Sequence, residues 1–83
     1  MDKNEQLQEE EVLKGIIRNT IVGICEKNIQ AYPNICRYAS RATIDQNNIV
    51  EKTFNYMTSE IRPMALDTAL NMVDSELGGG FGD

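Results

Sequence analysis

The chain has 83 residues, 41% of them hydrophobic and 25% charged, with a formal net charge of −5. That length holds one domain with a small core, and the composition excludes wholesale disorder. The longest apolar run, Ile21 to Cys25, falls far below the roughly 20 residues of a membrane-spanning helix. The polar, acidic start Met1-Asp2-Lys3-Asn4-Glu5 is unlike the basic and then apolar opening of a signal peptide. A cytoplasmic protein with no membrane insertion is expected.

Taken along the chain, the apolar residues predict four helices and no strands. The first runs from about Gln6 to Gln30. Leu13, Ile16, Ile17, Thr20, Ile21 and Ile24 recur at the three-and-four spacing of one helical stripe, with Leu7 a little ahead. Glu9, Glu10 and Glu11 crowd its early turns and Lys27 lies near its end, as the helix dipole favours. Gly15 and Gly23 each weaken this helix by about 0.5–1 kcal/mol relative to alanine, so each marks either a close backbone approach or an open surface. Lys14 is expected to face solvent. Tyr32-Pro33 ends the helix, because proline lacks a backbone donor and restricts the residue before it.

A short second helix follows, from about Asn34 to Ala42, packing through Ile35, Tyr38, Ala39 and Ala42. The third starts at Thr43, where Thr43 and Gln46 have the spacing of a capping box and Asp45 competes as a cap. Its stripe is Ile49, Val50, Thr53, Phe54, Met57 and Ile61, and Pro63 stops it near Arg62. The fourth begins there, with Leu66, Ala69, Leu70, Val73 and Leu77 on one face and Gly78 as its C-terminal cap. The reading is a small all-α bundle, a single helical domain over residues 1–78, followed by a flexible glycine-rich tail over 79–83.

Charge is segregated along this layout. Residues 1–11 carry −4 and residues 63–83 carry −4, whereas residues 12–62 hold seven Lys or Arg against four Asp or Glu. Cys25 and Cys36 read as free thiols in a reducing compartment, with a single bridge between them left open.

The side chains of catalysis are scarce. The chain has no histidine, the commonest general base and divalent-metal ligand. Two cysteines eleven apart make neither a four-ligand zinc site nor a redox pair. No base accompanies Ser40, Ser59 or Ser75, and Gly78-Gly79-Gly80 lacks the lysine and following helix of a phosphate loop. Glu9, Glu10 and Glu11 point to different sides of a helix, and Asp67 and Asp74 read as ordinary surface acids. No enzyme, no cofactor and no metal are expected.

Two features bear on function. The stretch from Ile35 to Ile49 resembles a helix-turn-helix: Ala39 and Ala42 where two helices cross, Ile44 plugging the turn, and Ile49 pointing to the core. Gln46, Asn47, Asn48 and Lys52 are then the outward residues, of types that reach base edges, with Arg37 and Arg41 placed for phosphates. The turn lacks glycine, and Lys52 falls where a core residue belongs unless the register shifts to Thr53. The second feature is length. A first helix of 25 residues spans about 37 Å, more than a domain this small should cover, so a homodimer supported by Ile17 and Ile21 is expected.

The function expected is that of a non-enzymatic regulator or adaptor that binds a partner protein through helix surfaces. Small acidic proteins of this kind occur among phage and mobile-element accessory factors, a class-level analogy. Contacts are expected at Glu9, Glu10 and Glu11 and at Tyr32, Arg37, Tyr38 and Arg41, since aromatic and arginine side chains dominate binding hot spots. The alternative is a DNA-binding regulator using Arg37, Arg41, Gln46, Asn47, Asn48 and Lys52.

Overall fold

The computed structural model describes residues 3–79, so the tail expected over 79–83 lies outside the described residues from Gly80 onward. Four helices make up the fold, with no strand among the described residues: α1 (Lys3–Lys27), α2 (Pro33–Ala39), α3 (Thr43–Met57) and α4 (Leu66–Leu77). The all-α expectation holds. Helix α3 packs against all three others, and α1 rests mainly on α3.

The core lies where these helices meet. Ile17 and Ile21 enter from α1, Ile35 and Cys36 from α2, Ile49, Val50 and Thr53 from α3, and Ala69, Leu70, Val73 and Leu77 from α4. Each set keeps the helical spacing that predicted it. Thr53, the one buried polar residue among those described, donates its hydroxyl to the carbonyl of Ile49 at 2.8 Å, so no polar group is stranded. Fully burying one such aliphatic side chain contributes about 1.5–3 kcal/mol, and ten apolar residues make a thin margin.

Several expectations need correction. The cysteines are not free thiols: Cys25 and Cys36 form a disulfide, with Cα atoms 5.3 Å apart. The last turns of α1 and the middle of α2 pack side by side, which brings the two sulfurs within bonding reach. Helix α1 ends at Lys27 rather than Gln30, because residues 28–32 must reverse the chain to bring Cys36 back to Cys25. Lys14 does not face solvent freely. Its Nζ lies 2.8 Å from Glu51 Oε1 and 4.9 Å from the centroid of the Phe54 ring, with 18% of the side chain exposed.

The capping box is not made. Ala42, in extended backbone, takes the N-cap position of α3, and no side chain caps that end. The register is one residue earlier than the sequence pattern implies, leaving Thr43 inside the helix. Helix α3 also stops at Met57, not Arg62, and Ile61 is 96% exposed. The Thr58 hydroxyl and amide both turn back to the carbonyl of Phe54. The amide of Met64 takes the carbonyl of Tyr56, the acceptor that a continuing helix would have offered to residue 60. Helix α4 accordingly starts at Leu66, three residues late. Gly15 and Gly23 face open space, with nothing within 4 Å of where a Cβ would stand.

Helix α2 is seven residues long and its N-cap residue, Tyr32, makes no side-chain cap. One of its first backbone donors is met from α4 instead. Asp74 Oδ1 accepts the backbone N–H of Ile35 at 2.9 Å, and Asn34 donates its side-chain amide to the carbonyl of Asp74 at 3.1 Å and to Oδ2 at 3.3 Å. The Asp74 side chain thus caps the start of α2, and the Asn34 side chain binds a carbonyl in the last turn of α4.

Two measurements check these ties. Reducing the disulfide frees a loop closed by eleven residues of separation, which should lower the unfolding free energy by about 3 kcal/mol in denaturant titrations with and without a dithiol. Asp74→Ala should cost about 1–2 kcal/mol in the same assay, the loss of a helix cap and of a charge-assisted hydrogen bond.

Candidate functional site

The bundle covers only the C-terminal half of α1. Every residue from Lys3 to Val12 is exposed, and Leu13 and Lys14 are the first to be partly covered. The N-terminal turns therefore form an arm, and the longest dimension of the molecule, 39 Å, matches the length of α1. The arm carries Glu5, Glu9, Glu10 and Glu11 together with exposed Leu7 and Val12.

Lys14 is the outermost bolt between arm and bundle. Besides Glu51 and Phe54, it lies in the field of Glu10 and Glu11. Its hydrogen bond to Glu51 raises its pKa above the ordinary 10.5, against a smaller opposing effect of burial. One turn along, Arg18 donates to Asn47 at 3.5 Å. Between the arm and the end of α3 runs an open groove of about 450 Å³, lined by Gln6, Glu9, Glu10, Leu13, Phe54 and Thr58. Its floor is apolar and its arm-side wall acidic.

The other expected contacts lie elsewhere. Tyr32 and Tyr38 are half-buried at the edge of the core. The guanidinium carbons of Arg37 and Arg41 lie 5.6 Å and 5.2 Å from the centroid of the Tyr38 ring, within range of cation–π attraction. Because Cys36 is bonded to Cys25, this aromatic-basic patch sits about 22 Å along α1 from Glu10. The structure does not gather the two expected contact clusters into one site. Ile17 and Ile21 are wholly taken up by the core of their own subunit, so they offer no face to a second chain.

The helix-turn-helix resemblance keeps its helix pair, α2 and α3, and buries Ile49. Ile44, expected to plug the turn, is 68% exposed, and Ala42 is exposed as well. Thr53, not Lys52, fills the core position. Among the outward set, Asn47 accepts from Arg18, and Lys52 lies 3.7 Å from Glu76. Asn48 is exposed and Gln46 half-buried.

Sequence reasoning missed a second polar cluster, where Tyr56 donates its hydroxyl to Glu76 Oε1 beside the Lys52 pair. That hydrogen bond raises the Tyr56 pKa above its usual 10.0, with burial and the Glu76 charge acting in the same direction. Residues 56 and 76 lie on different helices, and no local spacing announces the pair. Among the described residues, no three Asp, Glu or Cys side chains converge as a metal site would need, and no helix is long and apolar enough to cross a membrane. No family model matches the chain, and no match was found among curated proteins or solved structures.

Both raised groups are held in their protonated forms by folding. Their contribution is complete below the ordinary values of 10.0 and 10.5 and is lost as pH rises through the raised ones. Unfolding free energy should therefore fall above about pH 10, and Tyr56→Phe should show a shallower fall in denaturant titrations between pH 8 and 11.

Proposed function

We propose that this chain is a non-enzymatic adaptor or regulator that binds a partner protein through the acidic arm of α1 and the groove beside it. The observation that carries the reading is the exposure of α1 from Lys3 to Val12. A helix whose first ten residues are uncovered offers the groove lined by Gln6, Glu9, Glu10, Leu13, Phe54 and Thr58 an acidic wall and an apolar floor. That chemistry suits a basic amphipathic segment, whose apolar face meets Leu13 and Phe54 while its cations meet Glu9 and Glu10. Arg37 and Arg41 at the far end form a separate basic surface, available to a larger partner but not to the same segment.

The paired cysteines remove one reason for a cytoplasmic location, since such bridges persist where the surroundings are oxidising.

Glu10 and Glu11 provide the test. A partner retained by the immobilised wild-type chain should be lost with Glu10→Lys/Glu11→Lys, while the helical circular dichroism spectrum stays unchanged. Binding should weaken by about tenfold or more, as expected when desolvated charge pairs become repulsive. Equal retention by the variant, or retention of duplex DNA that falls steeply with salt, would move the function away from the arm.

A further inference from the structure

On the side of α1 turned away from α3, a second pattern runs the length of the helix. Glu5, Glu9, Val12, Ile16, Thr20, Gly23 and Lys27 follow one another at spacings of four, three, four, four, three and four. At 100° per residue they share a sector of about 80°. Ile17 and Ile21 in the core, Lys14 on Glu51 and Arg18 on Asn47 mark the side facing α3, and the stripe lies roughly opposite that side. Most of it is open to solvent: Val12 is 63% exposed and Ile16 50% exposed, while Thr20 and Gly23 are partly covered. Thr20 satisfies its hydroxyl on the Ile16 carbonyl at 2.7 Å. At Gly23 nothing stands within 4 Å of a Cβ position.

We infer that this stripe binds a second copy of the same chain, with the two α1 helices antiparallel and Ile16 on the two-fold axis. The spacing reads the same in both directions about Ile16, so an antiparallel copy brings each stripe position against another. Ile16 meets Ile16 of the partner subunit, and Val12 meets the partner's Thr20. Glu9 lies over the partner's Gly23, where the missing side chain leaves room for its stem. Glu5 meets the partner's Lys27, and the same contacts repeat across the axis, as a two-fold interface requires. Charge selects the direction. A parallel pair would set Glu5 on Glu5, Glu9 on Glu9 and Lys27 on Lys27, three like-charge contacts that the antiparallel pair avoids. A repeat of eleven residues, from Glu5 to Ile16 to Lys27, drifts little on a straight helix, so a shallow crossing keeps such stripes together over their full length, here about 33 Å. This surface adjoins the groove proposed for a partner protein and shares only Glu9 with it. Substitutions at Glu5, Ile16 and Lys27 therefore test it without touching Glu10, Glu11 or Phe54.

Sedimentation equilibrium of the oxidised full chain, over a range of concentrations at low salt, provides the test. The wild type should approach twice its 9.3 kDa mass, and Ile16→Asp should remain a monomer with an unchanged helical spectrum. Glu5→Lys alone and Lys27→Glu alone should each weaken the dimer by about tenfold, since each places like charges at both ends of the interface. The double variant Glu5→Lys/Lys27→Glu restores opposite charges and should recover most of the loss. A monomeric wild type at every concentration overturns the proposal and leaves the stripe to a different protein. A dimer that survives Ile16→Asp overturns the surface, and a double variant no better than the singles overturns the antiparallel register.

Discussion

The constraint behind this structure is a mismatch of lengths. Helix α1 has 25 residues, and the helices available to cover it have 7, 15 and 12. They bury it only around Ile17 and Ile21. From Val12 back to Lys3 the helix continues exposed, which is physically reasonable because propagation is cheap once the packed half has provided the nucleus. Glu5 in its first turn complements the dipole, and Glu10 stands four residues before Lys14 in the favoured order. What the bundle cannot cover becomes surface, with acids, exposed aliphatic side chains and an open groove along it.

The same shortage of covering material explains how the rest is held. A seven-residue helix such as α2 is too short to persist by itself. It is fastened to α1 by the Cys25–Cys36 bridge and to α4 by the reciprocal contacts of Asn34 and Asp74. These ties act from different neighbours, so α2 is positioned even though it contributes only Ile35 and Cys36 to the core. Lys14 plays the corresponding part for α1, clamping it to α3 through Glu51 and Phe54 at the point where apolar packing runs out. Directional contacts take over wherever the core is thinnest.

Much of this fold was legible in the residues, and the failures have two causes. The periodic apolar positions identified four helices, and Ile17, Ile21, Ile35, Ile49, Val50, Leu70, Val73 and Leu77 are buried as their spacing implied. Local patterns misled where backbone geometry beyond the pattern, or a distant group, decided the outcome. Thr43 and Gln46 have the spacing of a cap, but the helix begins one residue earlier. Ile61 continues a stripe that ends once the amide of Met64 occupies the carbonyl of Tyr56. Lys14 resembles an ordinary surface lysine until Glu51, 37 residues away, is placed beside it. Asp74 looked like a surface acid because its donor, the amide of Ile35, is 39 residues distant. The candidate site was legible in part. The acidic turn and the excess length of α1 were visible, whereas the groove required Phe54 from α3 and Thr58 just past its end.

Charge links the arm to both surfaces proposed for it. Net charge is −5, so two copies repel at long range, and a contact between them must be built where local charges alternate. The stripe from Glu5 to Lys27 has a base on the same face as its acids, far enough along the helix to meet them only in an antiparallel copy. Glu10 and Glu11 lie off that stripe, outside the contact. An antiparallel pair would set the two Glu10 positions about 18 Å apart along the shared axis, each beside its own groove. A partner with two basic segments could then engage both grooves, and the second contact would form at the raised effective concentration set by the first. Self-association and partner binding would then reinforce each other through geometry, with no change in either fold.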